Sequence, residues 1–261
     1  MIDQDQSRQQ KKEMVILTIV FGAFFCICIL ILGTVLLVYT RSFNAYSADP
    51  NFLVPATPTP VSCPPVPSNW DVKIEDRFNN HLNEWPFGNT DDEYVTENQK
   101  IIDGKYRIHA VAKKSVNTYF YPSMDYKVYD FYLSADARQL EGQLDNMYGL
   151  MYRLNPDRGR YFFGIRETQR FTLRQYLMNE WHTLIPPTYS PAIMPGEANR
   201  LVVVANGSSF TFCINQALVA EIENADITSG KAGFSYSLFN EGDEATFEFD
   251  NFQLYVPPET E

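Results

Sequence analysis

Residues 70–257 predict an all-β fold, an antiparallel β-sandwich of the jelly-roll kind, and three observations carry that prediction. Apolar and polar residues alternate over short runs, as they do along strands with one buried face. Two-residue turn signals separate the runs: Asp103-Gly104 in "KIIDGKYRIHAV" and Asn206-Gly207 in "LVVVANGSSFTF". No long 3.6-residue periodicity competes with them, which excludes a helical or α/β domain. A further turn is expected near Asn215-Gln216, and Ser229-Gly230 precedes another strand. In "TFEFDNFQLY" the aromatic phase slips between Phe249 and Phe252, so a bulge is expected around Asp250-Asn251.

The preceding segments read differently. Residues 1–13 form a short tail, and "MVILTIVFGAFFCICILILGTVLLVY" within 14–40 carries no charge. As a helix at 1.5 Å per residue that run reaches roughly 39 Å, enough to span a bilayer with some tilt. A signal peptide's apolar core is only about 7–15 residues, and no small-x-small cleavage pattern follows here. Arg8, Lys11 and Lys12 precede the span and only Arg41 follows closely, which predicts a cytoplasmic N-terminus and an extracytoplasmic C-terminal domain in the cell membrane. The lipid bilayer is thus an expected partner through residues 14–40. Residues 41–69 include "PNFLVPATPTPVSCPPVP", whose prolines predict an extended linker, and residues 258–261 form a tail.

The 261 residues carry a formal net charge of -11, which argues against nucleic acid as a partner. Cys26 and Cys28 fall inside the apolar run and read as small apolar residues. Cys63 and Cys213 fall outside it, where disulfides persist. They are candidates for a bridge; the alternative is a linker thiol and a buried strand thiol.

Alternation sorts the arginine-rich stretch "GLMYRLNPDRGRYFFGIRETQRFTLRQY" into two faces. Tyr148, Leu150, Tyr152, Leu154, Tyr161, Phe163, Ile165, Phe171 and Leu173 take the core side. The opposite face collects Gly149, Met151 and Arg153, then Phe162, Gly164 and Arg166, then Thr172, Arg174 and Tyr176. If these strands are hairpin neighbours, Gly149, Gly164 and Thr172 floor a shallow trough edged by Arg153, Arg166, Arg174 and Tyr176. Such a trough suits sugar, and guanidinium pairs bidentately with carboxylate. The preceding run "YDFYLSADAR" directs Tyr132, Ser134, Asp136 and Arg138 outward. The competing reading is an ordinary solvated sheet face held by cross-strand charge pairs. The chain's acidic balance would not steer an acidic glycan toward it.

Other chemistry is thin. Glu248 and Asp250 share a strand face at about 6.6–6.8 Å spacing, a separation open to acid–base work. Asn240, Asp243 and Glu244 in "NEGDE" gather oxygen ligands of the kind calcium takes, with an ordinary acidic turn as the alternative; no other cofactor is expected. His81, His109 and His182 are scattered without zinc-like spacing, and no nucleophile, phosphate-loop or dinucleotide motif is present. Asn206-Gly207-Ser208 fits a glycosylation acceptor pattern in a tight turn.

From Ile74 to Tyr255 the chain resembles the concanavalin A-like, laminin-G-like jelly rolls of bacterial surface and secreted proteins. The resemblance runs in order through "EDRFNNHLNEWP", "DGKYRI", "YGLMYR", "RYFFGI", "NEWHTL", "SPAIMPGEANRLVVVANGSSFTFCINQALVAEI", "SGKAGF" and "FDNFQLY". Ala198, Cys213 and Gln216 depart from the residues usual at those points and affect packing and turn type. The resemblance implies the fold rather than one activity, because the group holds lectins, glycanases, adhesive modules and sensory ectodomains. Glucanases of the group look like Glu-x-Asp-x-x-Glu on one strand; "EATFEFD" has carboxylates in another order. The expectation is noncatalytic glycan recognition at the cell surface, against a structural ectodomain with a protein partner or a glycoside hydrolase.

Overall fold

The computed structural model describes residues 61–80 and 83–258, and these contain strands, turns and no helix. The expected tail 1–13, the membrane span at 14–40, the linker up to residue 60 and the end from residue 259 lie outside the described residues. Among the described residues no helix is long and apolar enough to cross a membrane.

Strands of alternating polarity pair into two antiparallel sheets. The nine-stranded sheet runs β13 (Ala217–Glu223), β12 (Ser209–Ile214), β11 (Asn199–Asn206), β6 (Phe131–Glu141), β15 (Glu244–Val256), β4 (Lys105–Ala112), β3 (Val95–Ile102), β2 (Gly88–Asp91), with β1 (Asp71–Asp76) also on β15. The six-stranded sheet runs β10 (Glu180–Tyr189), β9 (Arg170–Leu177), β8 (Gly159–Arg166), β7 (Met147–Asn155), β14 (Lys231–Leu238), β5 (Val116–Phe120).

The turns follow their residues. Asp103 and Gly104 take φ of 53° and 71° between β3 and β4, the left-handed pair that a tight hairpin needs. Gly207, at φ 59°, is the first central residue between β11 and β12. Asn215 and Gln216 make the same kind of turn without glycine, at φ 48° and 71°. Asn251 sits at φ 48° where the β6–β15 register shifts between Asp250 and Gln253. This bulge resets the phase, so Phe247, Phe249, Phe252 and Leu254 all enter the core.

That core lies between the sheets. Phe234 of β14 stacks on Phe249 of β15 with centroids 4.2 Å apart, and Trp85 stacks on Phe234 at 4.7 Å. Phe163 of β8 meets Phe212 of β12 at 5.0 Å. Each such pair adds roughly 0.5–1.5 kcal/mol beyond its area burial. The indole N–H of Trp85 donates to Asp76 Oδ2 at 2.9 Å, satisfying a buried donor. Of the positions expected inward, Tyr148, Leu150, Tyr152, Tyr161, Phe163, Ile165, Phe171 and Leu173 belong to the central cluster.

The last linker residues lie against the sandwich. Ser62 bridges Ala217, Cys63 N donates to Gln216 O at 2.7 Å, and Leu218 N donates to Val61 O at 3.0 Å. Cys63 and Cys213, 150 positions apart in sequence, are joined by a disulfide with Cα atoms 5.8 Å apart. The bridge ties the entry of the domain to β12.

Candidate ligand-binding face

The outer face of the six-stranded sheet is the one the arginine-rich stretch forms. β7 pairs β8 with Gly149 opposite Gly164, and β8 pairs β9 with Gly164 opposite Thr172, so those three residues occupy one row. The row is not open. Met147, Met151 and Phe162 are fully buried yet stand apart from the inter-sheet cluster, because they pack on this outer face. A Cβ on Gly164 would lie 2.5 Å from Met147 Cγ and 3.0 Å from Phe162 Cζ. The thioether and the ring thus fill the floor that alternation alone leaves low. Period two gives a side chain's direction, not where a long neighbour lies down.

Arg153 is not on the rim of that face. It takes φ 48°, at a register shift between Tyr152 and Asn155, and its side chain is 1% exposed. The guanidinium donates to the carbonyls of Ile227 at 2.9 Å, Tyr129 at 2.9 Å and Gly207 at 2.7 Å, and lies over the Phe210 ring. It staples three loops at one end of the sandwich. The bulge reverses the parity on which its outward placement depends.

The other arginines do project from the outer face, each against aromatic rings. The Arg166 guanidinium carbon lies 5.3 Å over Phe239, and that of Arg174 lies 4.4 Å over Trp181. Arg160, two residues before Phe162 on the same side of β8, lies 4.6 Å over Tyr119, 4.5 Å over Tyr176 and 5.1 Å over Trp181. Its one hydrogen bond goes to Asn117 Oδ1 at 3.2 Å. Arg160, Tyr119, Tyr176 and Trp181 line a recess of about 460 Å³ together with Asp92, Tyr94 and Glu97.

The sequence reading omits Arg160, Tyr119 and Trp181. Two signals were there to find them. Arg160 shares the parity of Phe162 and Gly164, and Met178-Asn179, both at positive φ, are a hairpin turn that sets Trp181 opposite Tyr176.

Electrostatics separate the two sheets. On the outer face of the nine-stranded sheet, cations meet carboxylates: Arg107 with Glu248, Lys105 with Glu248 at 3.8 Å, Arg200 with Asp136 at 3.4 Å. Asp136 and Arg138 belong to β6 and therefore to that sheet, not to the edge of the arginine-rich face. Among the described residues no ion pair forms at Arg160, Arg166 or Arg174. Burial lowers the pKa of all three guanidiniums, and at Arg174 the neighbouring Arg166 charge pushes the same way. Thr172, 2% exposed, keeps a hydroxyl without a hydrogen-bond partner on the same face.

Carboxylates near and away from this face are engaged by donors of the protein. Glu248 and Asp250 lie on the outer side of the nine-stranded sheet, where Glu248 is bound by Arg107 and Asp250 accepts from Asn251 N at 2.6 Å. In the recess, Glu97 accepts from the Tyr236 hydroxyl and, at 2.8 Å, from Gln99 Nε2; burial raises its pKa. Asn240 and Asp243 lie together, with Asn240 Nδ2 donating to Asp243 Oδ2 at 3.2 Å, and Glu244 turns to another partner. Asp243 Oδ2 accepts from Phe239 N at 3.1 Å and Asn240 N at 2.9 Å, while Glu244 reaches His109 Nε2 at 3.4 Å. Among the described residues no three His, Cys, Asp or Glu side chains stand together as a metal centre.

Two antiparallel sheets packed face to face make the domain a β-sandwich. The chain matches no protein-family model and no curated protein sequence. Among solved structures it is similar to a GlcNAcα1-4Gal-releasing endo-β-galactosidase from Clostridium perfringens, at 10% identity over 76% of this chain and 66% of that one, TM-score 0.56. It is similar to the laminarinase catalytic domain from Thermotoga maritima, at 10% identity over 73% of this chain and 100% of that one, TM-score 0.53. A Bacillus subtilis protein of unknown function with a galectin-like fold aligns at 13% identity over 72% and 100%, TM-score 0.51. These similarities are similarities of fold.

Proposed function

We propose that the domain is a noncatalytic glycan-recognition module, held at the extracytoplasmic side of the cell membrane. The observation that carries the reading is the recess where Arg160 lies among Tyr119, Tyr176 and Trp181. Aromatic faces cover the apolar side of a sugar ring, and guanidinium N–H groups meet its hydroxyls. The carbohydrate-acting proteins among the structures of this fold support the class of ligand. The membrane anchor rests on the charge-free run in 14–40 and the basic residues before it. A glycan array probed with the full chain in detergent tests the proposal. Defined oligosaccharides are expected to bind, and binding is expected to fall in Trp181→Ala.

Hydrolysis is a second reading, favoured by Glu97, a recess carboxyl whose raised pKa suits a general acid. Binding is preferred because both Glu97 oxygens already accept bonds from Tyr236 and Gln99, and Asp92 caps its own turn through Tyr94 N at 2.7 Å. Oligosaccharide cleavage that disappears in Glu97→Gln would reverse the preference.

A further inference from the structure

On the outer face of the six-stranded sheet three part-buried guanidiniums have no carboxylate within 4 Å among the described residues, with Asp145 acting on Arg166 from farther away. In a chain of net charge -11, six cations, Arg77, Lys105, Arg107, Lys113, Lys114 and Arg200, lie within 4 Å of a carboxylate. Arg160, Arg166 and Arg174 do not, although all three are part-buried on one face. Burying a guanidinium without an anion carries a desolvation cost that a solvated surface arginine escapes. Here rings bear that cost in part, through cation–π contact worth roughly 0.5–2 kcal/mol each. The unpaired Thr172 hydroxyl lies two residues from Arg174 on the same side of β9.

We infer that this face binds a carboxylate-bearing sugar, a uronic acid within a glycan chain, with Arg174 receiving the carboxylate and the recess at Arg160 receiving the adjoining sugar. The inference rests on the glycan reading above and names its ligand. The Arg174 guanidinium lies over Trp181 with no hydrogen bond along its in-plane N–H edge among the described residues, and a planar carboxylate meets that edge as two parallel bonds, whereas Arg160 Nη2 already donates to Asn117 Oδ1. The acidic balance of the whole chain is screened beyond about 8–10 Å at ordinary ionic strength, and of the carboxyl groups lining the recess Glu97 is buried with its pKa raised while Asp92 is bonded to Tyr94 N and Val95 N.

The test uses the full chain in detergent and oligomers of galacturonate, alginate and hyaluronan, each beside its carboxyl-reduced neutral form and beside a sulfated galactan. At least one uronate oligomer is expected to bind tenfold or more tighter than its reduced form. Arg160→Gln and Arg174→Gln are each expected to weaken that binding about tenfold, with thermal unfolding monitored to show that the variants remain folded. Equal binding of reduced and native oligomers would overturn the uronate assignment and leave glycan recognition standing. Preference for the sulfated galactan would overturn the choice of carboxylate. Binding of no glycan at all would overturn both this inference and the reading on which it rests.

Discussion

Arg174 and Trp181 are diagonal neighbours across the β9–β10 pair, with the guanidinium carbon 4.4 Å over the indole. Trp181 also stands opposite Tyr176, its ring centroid 5.3 Å away, so one indole supports both Arg174 and the rings around Arg160. Removing it frees two guanidiniums at once. Trp181→Ala is expected to reduce glycan affinity tenfold or more, whereas Trp181→Phe retains most of it. Titration calorimetry on the two variants checks the contrast.

Arg153 predicts the opposite separation. Its three carbonyl bonds are buried, and Arg153→Ala would leave Ile227, Tyr129 and Gly207 oxygens without their donor. A loss of roughly 3–5 kcal/mol of stability is expected, the range for breaking a buried network around a charge. Arg153→Lys should recover only part of it, since an ammonium lacks the fork. Denaturant unfolding measures the loss, and glycan affinity of the folded fraction should not change.

Glu97 predicts a pH dependence. Its folded-state pKa is raised above 4.5, chiefly by burial, so the folded protein favours the protonated form. Its contribution is therefore fully present below the unfolded pKa and is lost as pH rises through the raised folded value. Glu97→Gln mimics the neutral form, so its stability relative to the parent chain should be more favourable at pH 8 than at pH 4. Thermal unfolding of both proteins at the two pH values gives the sign.

The Cys63–Cys213 bridge closes a loop of 150 residues in sequence. Chain entropy assigns such a link roughly 4–5 kcal/mol, with measured values often lower. Reduction, or Cys213→Ala, should lower the unfolding midpoint and free residues 61–63 from β13. Non-reducing peptide mapping and denaturant melts with and without reductant check both statements.

Much of this fold is legible in the residues. Asp103-Gly104 announces its hairpin, and the slip between Phe249 and Phe252 announces the Asn251 bulge, because each departs from alternation in a way only one backbone conformation repairs. The candidate face is legible in part. Parity places Arg166, Arg174 and Tyr176 outward, but Arg153 carries its own bulge with no glycine to signal it. Met147 lies over Gly164, a contact that depends on rotamer rather than period. The assignment of β6 to the other sheet is a matter of topology, so neither the place of Asp136 nor that of Arg138 could be read from local pattern.

The most direct measurement compares glycan affinity across matched variants on the two outer faces. Arg160→Gln and Trp181→Ala disturb the six-stranded sheet, and Arg107→Gln disturbs a paired arginine on the nine-stranded one. The account predicts tenfold or greater loss in the first two and an unchanged affinity in the third. Loss in Arg107→Gln with full affinity in Arg160→Gln and Trp181→Ala would place recognition on the other side of the sandwich and contradict it.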